Sequence, residues 1–494
     1  MPPADQPVPR IVIVGAGFTG ACAAVQLVRR SHGPLAITLL DPAPQPGCGL
    51  AYSATDPDHR LNAPTFVHSM LPDDAGHFGR WCAQQGLAAT DPQAVWADGN
   101  TYARRSDFGR YIGQTLQAHG QGGPGGATLS VLRDTALGLG PADGAAFGVA
   151  TGHPVPRLPP PWAAGLASHP AVIANPLAID RLHRIPSDAR LLLLGSGLTA
   201  LDVLSTLVQR GHAGPIEVVS RHGLRPRPQG PLPAALALAL RGDLALLPPG
   251  MVLGRLNGPV PAFLAAPGVP PDLRQWLRAL RTQIRQAQAA GGHWYTAFDD
   301  LRDALWQLWP TLPAAQQRRF VRTLRPWYDV HRYRSAPQND AIVQAAEAAG
   351  RIQFMAARLR SVAAAPGMAG IDVQMAVRGA AAPRTQRFDA VINCTGVDAA
   401  AGLVVNPFLA ALAQGGWVRR DAAGIGIEVD ADCRAIGANG QAQPALRVLG
   451  PPSVGSRGDA IGAMFIAAQI HRMLGGALAE LGVAGAPSLA IGPS

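Results

Sequence analysis

A stretch of ten residues, 11–20, constrains this chain more than any other. Ile11, Val12, Ile13 and Val14 run straight into Gly15-Ala16-Gly17-Phe18-Thr19-Gly20, and an apolar helical pattern follows at Ala21, Ala24, Val25, Leu27 and Val28. The pattern predicts strand, tight turn and helix. The first glycine makes the turn, the second lets backbone approach a pyrophosphate, and the third lets the helix pack on the strand. The N–H groups at the helix start, those of Phe18 and Thr19 among them, then face the phosphates. A second apolar run, Ile37 to Leu40, ends at Asp41, 21 residues past Gly20. An acid at that distance holds a ribose hydroxyl. A dinucleotide site is therefore expected over Gly15, Gly17, Phe18, Thr19, Gly20 and Asp41.

The signature occurs a second time. Leu191 to Leu194 leads into Gly195-Ser196-Gly197-Leu198-Thr199-Ala200, and a helical pattern carries Leu201, Leu204 and Leu207. Alanine is tolerated at the third glycine position. Gly195, Gly197 and Thr199 are thus expected at a second nucleotide. The next strand, Ile216 to Val219, ends in Ser220-Arg221-His222 where an NAD site carries an acid. Arg221 in that place suits a 2′-phosphate and favours NADPH over NADH. Two such motifs imply two separate βαβ units.

Between and after these motifs the chain changes character. Residues 42–74 read as a long irregular loop, in which His59, Arg60, Asn62 and His68 are polar groups suited to a flavin ring or a substrate. Phe147 to Gly152 is a short strand ending in Ala-Thr-Gly, followed by prolines; Phe388 to Gly396 repeats that logic. Small residues such as Gly152 and Gly396 allow the chain to cross between domains. Residues 223–338 look like a helical insert, with glycine-free amphipathic windows near 271–290, 299–309 and 314–326. The insert ends in WYDVHRYRSAP, where His331, Arg332 and Arg334 make the densest cationic and aromatic cluster of the chain. That cluster suits a planar anion or cofactor phosphates, and equally an interdomain salt-bridge helix. Late in the chain, Leu446 to Leu449, a glycine loop, Asp459 and a helix read as the segment that closes over a flavin, with the helix dipole favouring the reduced anionic ring.

Composition narrows the function classes. The 494 residues are 48% hydrophobic and 15% charged, which suits two or three globular domains. The net charge of +10 comes with no lysine at all; every cationic side chain is an arginine, and these are scattered. That argues against a nucleic-acid footprint. The five cysteines form no CxxC pair, which suits a reducing compartment and speaks against electron relay through a dithiol. No metal site is expected. The apolar run 231–240 is too short to span a bilayer, and a cytoplasmic protein without membrane partners is expected.

Taken together, GAGFTG, GCGLAYSATDPDHRLNAP, YARRSDFGRY, ATGHPVPRLP, GSGLTALD, LRPWYDVHRYRSAP and INCTG resemble the FAD/NAD(P)-binding proteins related to class B flavin monooxygenases. The resemblance runs from about residue 10 to about residue 470. It implies FAD at the first glycine turn, NADPH or NADH at the second, and FAD-dependent urate hydroxylation or N-hydroxylation of aspartate as activities. Three features depart from the pattern. The class B fingerprint survives only as Gly165 and His169, with Ala163 and Ile173 where aromatics stand. No lysine matches the one near the flavin of ornithine and lysine N-hydroxylases. Residues 455–464 lack the acidic, tryptophan-containing version expected of the family.

The expected fold is α/β, with two Rossmann-like dinucleotide-binding domains and a helical insertion. An FAD-binding domain is expected over 1–165 and again over 386–494, with an NAD(P)H-binding domain over 166–385 between them. The expected chemistry is hydride transfer from NAD(P)H to FAD, reaction with O2 to a C4a-hydroperoxide, and delivery of one oxygen to a small molecule. A planar anion, urate, is the leading substrate reading. Amino-acid N-hydroxylation is the first alternative, and a flavin redox sensor without oxygenation the second. Asn62, His331, Arg332 and Arg334 are the candidate catalytic residues, and Asp459 joins Asn62, Gly152, Gly396, Ser220 and Arg221 among the cofactor contacts.

Overall fold

A computed structural model describes residues 7–140, 145–154, 156–162, 164–231, 251–265, 272–368, 370–397, 402–459 and 461–484. Ala163 and nearly all of the 231–240 run lie outside these residues. Two sheets organise the chain, each grown from one of the glycine-ended strands. The first has the order β12-β13-β4-β1-β2-β3, with β1 at Arg10–Val14, β2 at Leu35–Leu40, β3 at Ala127–Leu132, β4 at Ala145–Val149, β12 at Arg434–Ile436 and β13 at Ala442–Val448. All its pairings are parallel except β12 with β13. The second has the order β10-β9-β8-β7-β6-β11-β5, with β5 at Val172–Ile173, β6 at Leu191–Leu194, β7 at Ile216–Ser220, β8 at Ile352–Ala364, β9 at Ile371–Val377, β10 at Arg384–Phe388 and β11 at Ala390–Asn393. Its centre is parallel, and β8, β9 and β10 form an antiparallel meander at one edge.

Helices cover one face of each sheet, and in the second sheet Ile371, Val373 and Met375 of the meander pack with Leu192 and Leu194 on the other. Ile13, Leu35, Ile37 and Leu39 are buried in the first sheet, and Leu191 to Leu194 in the second. Helix α1 (Phe18–Arg30) packs in one core with α2 (Arg105–His119) and a late helix, Ala463–Glu480. Helix α3 (Leu198–Gln209) plays the same part in the second sheet.

The described residues of 223–338 are largely helical. Its main helices are α4 (Leu273–Ala289), α5 (Trp294–Leu308) and α6 (Arg325–Arg332), followed by α7 (Pro337–Ala348), which returns to the second sheet's core. The insert is rooted by backbone pairing of its two ends: Arg227 N–H donates to Val330 O, Ser335 N–H to Arg227 O and Gln229 N–H to Ser335 O.

One boundary moves. The expected return to the first domain at residue 386 comes later, because β11 pairs with β5 and β6 and so completes the second sheet. The chain crosses back after Asn393, at Thr395-Gly396, where Gly396 takes a φ of +80°. A buried strand ending in Thr-Gly reads the same whichever sheet it joins, so only pairing places the boundary. The expected long loop after β2 is also more ordered than its composition suggests. It holds a short helix at Gly49–Tyr52 and a 3-10 turn at Thr65–Val67. No described helix is long and apolar enough to cross a membrane.

Candidate functional site

The first glycine turn is built by backbone contact. Gly15 has a φ of +103°, and a Cβ there would stand 2.4 Å from the carbonyl oxygen of Ala150, on the neighbouring β4 side. A Cβ on Gly20 would stand 1.8 Å from Gly15 O, so the third glycine is what lets α1 sit against the turn. Gly17 is the extended N-cap of α1, and no side chain caps the helix. The first-turn amides therefore have no side-chain acceptor, which is the condition for a phosphate to take that place. The side chains of Phe18 and Thr19 pack against the protein. The Phe18 ring stacks on Phe108 and meets Tyr52 edge-on, and the Thr19 side chain lies where a Cβ on Gly450 would go.

Asp41 is fixed beside this turn. One carboxylate oxygen accepts Ala16 N–H at 2.6 Å and the other accepts Ala43 N–H at 2.8 Å. Across the turn a cleft opens, lined by Thr151, Gly152, His153, Asn406, Gly426 and Pro451. Thr151 Oγ1 is buried there without a hydrogen-bond partner. Burial pushes His153 down to about 4, so its ring is neutral near pH 7. An orphaned hydroxyl beside a cradle that a Cβ would fill is a good fit to a dinucleotide such as FAD.

The second turn repeats the geometry. Gly195 has a φ of +94°, and its Cβ would stand 2.3 Å from Cys394 O. Gly197 is again an extended, uncapped N-cap. Ala200 is fully buried and accommodates its methyl. Thr199 is half-buried. Ser220 Oγ accepts Gly223 N–H at 3.0 Å, closing its own loop. Arg221 is exposed at the end of β7, and its carbonyl accepts from Arg378 at 3.3 Å.

Asn62 lies where the two domains and the insert meet. Its Oδ1 accepts from Arg105 Nη2 at 3.3 Å, and its carbonyl accepts from Gln229 Nε2 at 2.8 Å. Arg105 Nη2 also donates to Asp202 at 2.8 Å, tying α2 to α3. Asp202 accepts from Asn339 of α7 at 3.4 Å, and Asn339 reaches Asp58 O at 3.1 Å. A second knot joins Asp56 and His59 to Thr206 of α3 at 3.0 and 3.2 Å. Sequence reading singled out Asn62, His59 and Arg60 but not Asp56, Arg105, Asp202, Thr206 or Asn339. The signal was an acid in the first turns of an otherwise apolar helix, Asp202 among leucines. His59, Arg60 and His68 serve the fold. Arg60 is buried against Asp91 at 2.9 Å, and burial pushes His68 to about 4.

The cationic cluster is largely paired. Arg332 meets Asp459 at 2.7 Å, with both side chains buried, and stacks on the rings of Tyr333 and Phe465. Arg334 donates to Asp299 at 2.8 Å and to Gln229 at 2.9 Å. His331 lies flat on Phe298 at 4.9 Å and binds Trp327 O at 2.7 Å through Nδ1. Arg332 thus ties the insert to the C-terminal segment, while Arg334 and His331 hold the insert to itself. Asp459 holds Arg332 there, with its other oxygen, Oδ1, buried and unpartnered. No described group of His, Cys, Asp or Glu could hold a metal.

Comparison with known proteins agrees with this geometry. Residues 12–156 match an FAD-NAD(P)-binding family model. No curated protein matches the sequence. Among solved structures, the chain is similar to the FAD-bound cadaverine monooxygenase of Erwinia amylovora at 10% identity and a TM-score of 0.62, covering 99% of each chain. It is similar to the ornithine N-hydroxylase of Kutzneria at 14% and 0.60, covering 96% of this chain and 99% of that one. For the ornithine hydroxylase of Pseudomonas aeruginosa the values are 16% and 0.58, covering 96% and 100%. The chain is an FAD- and NAD(P)-binding protein of mixed α/β class. It shares, end to end, the fold of these three solved structures.

Proposed function

We propose that this protein is an FAD-dependent, NADPH-consuming monooxygenase that hydroxylates the nitrogen of an amine or amino acid. The observation that carries the reading is whole-chain similarity, helical insert included, to structures whose names give ornithine and cadaverine as substrates. The five cysteines are all free, and four are buried, which suits electrons passing to oxygen and not to a dithiol. The overall change would be amine plus O2, NADPH and a proton giving hydroxylamine, water and NADP+.

Bound FAD supplies the oxygen chemistry; the protein's residues hold it and keep water out. The uncapped start of α1 and Asp41 would hold the pyrophosphate and ribose. Thr151 Oγ1 offers a buried hydroxyl at the cleft. Arg221 in place of an acid favours NADPH. The insert seals the C-terminal segment: Trp309 Nε1 donates to Gly455 O at 2.6 Å, and a Cβ on Gly458 would press into Trp309 at 2.8 Å. A dry site limits loss of the oxidising equivalent as peroxide.

Urate has less support. That reading relied on arginines available to a planar anion, and Arg332 and Arg334 are paired with Asp459 and Asp299. The test is aerobic NADPH oxidation by FAD-loaded protein with ornithine, lysine, cadaverine, aspartate and urate. The expected result is a hydroxylamine product from at least one amine. Urate-dependent oxygen uptake, with every amine inert, would overturn the proposal.

A further inference from the structure

The helical insert touches the second dinucleotide site at a point the paired cluster leaves free. Trp327, on α6, is 47% exposed and the only aromatic ring among the exposed large apolar side chains of the described residues. A tryptophan half in water contributes little to the fold, and its face suits a planar ring. It stands 5.9 Å from His222, ring to ring, at the carboxyl end of β7. Around His222 gather Arg221, Arg358 and Arg378; loss of water around the ring and then these charges lower its pKa. Arg378 Nη2 approaches His222 Nδ1 at 3.5 Å and donates to Arg221 O at 3.3 Å. None of the three arginines is paired with a carboxylate among the described residues. Two other arginines of the same meander do have partners: Arg384 with Glu217 and Arg387 with Asp372. Three unpaired cations gathered here repel one another, and a phosphate dianion relieves that repulsion.

We propose that Trp327 of the insert and the arginines Arg221, Arg358 and Arg378 clamp the adenine and the 2′-phosphate of NADP(H). The insert, rooted beside Asn62, thereby closes over the nucleotide held by the second glycine turn. Trp327 serves any adenine nucleotide, whereas Arg358 and Arg378, on β8 and just after β9, discriminate for the 2′-phosphate.

The proposal rests on the second turn binding NADP(H), and calorimetry with 2′,5′-ADP and 5′-AMP separates the two. Wild-type full-length protein should bind 2′,5′-ADP at least about tenfold more tightly than 5′-AMP. Trp327→Ala should weaken both ligands about tenfold, and Trp327→Phe should retain most of the affinity. Arg378→Gln should weaken 2′,5′-ADP about tenfold and leave 5′-AMP unchanged. Wild type binding neither ligand would overturn the reading of the turn and the clamp together. Wild-type binding that Trp327→Ala and Arg378→Gln leave intact would overturn the clamp alone. These side chains are exposed, and circular dichroism of each variant checks that the fold is unchanged.

Discussion

The two glycine turns share a plan and differ at both ends. In each, the first glycine takes a left-handed φ because a carbonyl from a neighbouring strand fills the space of a Cβ: Ala150 O at Gly15 and Cys394 O at Gly195. They part at the third small residue. Gly20 lies against Gly15 O so closely that no methyl fits, whereas Ala200 buries one. They part again after the second strand. Asp41 is tied into the first turn through Ala16 N–H, while the second ends in exposed Arg221. The first turn is the tighter and carries an acid. The second is looser and presents cations. The difference suits a cofactor held permanently at one site and one that comes and goes at the other.

The sharpest way to break this comparison is Gly20→Ala. Its methyl meets backbone, so we expect a loss of about 3 kcal/mol or more together with loss of FAD from the purified protein, read by its absorbance and by chemical denaturation. The reverse change, Ala200→Gly, removes a methyl the second turn accepts.

Next in size is the tie between the domains that carry the turns. Asp202→Ala leaves Arg105 facing a half-buried void, and should cost about 2 kcal/mol. Arg105→Ala should cost a similar amount, and the double variant less than the sum, as residues in one network do. An additive double variant would remove the tie from the account.

Acid tests a buried histidine of the first domain. His68 is held at about 4 by burial, against about 6.5 when unfolded. Its folded pKa is depressed, so the unfolded chain binds more protons between those values. Stability is full above about 6.5 and is lost as pH falls towards 4. His68→Gln keeps a donor for Pro64 O and does not titrate, so it should lessen the fall in Tm over that window by about 2–4 °C. An identical fall would show that His68 is not responsible. Smallest is Ala200→Gly, for which about 1 kcal/mol of helix propensity is expected, with NADPH affinity retained.

Much of this was legible in residues. Both turns, Asp41, the Thr-Gly crossings and the three helical windows rest on local patterns, and the structure places an element at each. What was not legible depends on partners far along the chain. Arg332 and Arg334 read equally as site cations and as salt-bridge partners, because nothing near them in sequence announces Asp459, 127 residues on, or Asp299, 35 residues back. Strand 390–393 read as the way back into the first sheet because burial fixes that a strand is central, not which sheet it completes. Asp202 was passed over because a single acid in an apolar helix has no period to betray its partner.

The central claim is that electrons from NADPH end with one oxygen atom on an amine nitrogen. The direct measurement is a single-turnover reaction under isotopically heavy dioxygen, with the amine product analysed by mass spectrometry. The account predicts one heavy oxygen in the hydroxylamine and one NADPH consumed per product. An unlabelled amine, with hydrogen peroxide accounting for all the NADPH, would contradict it.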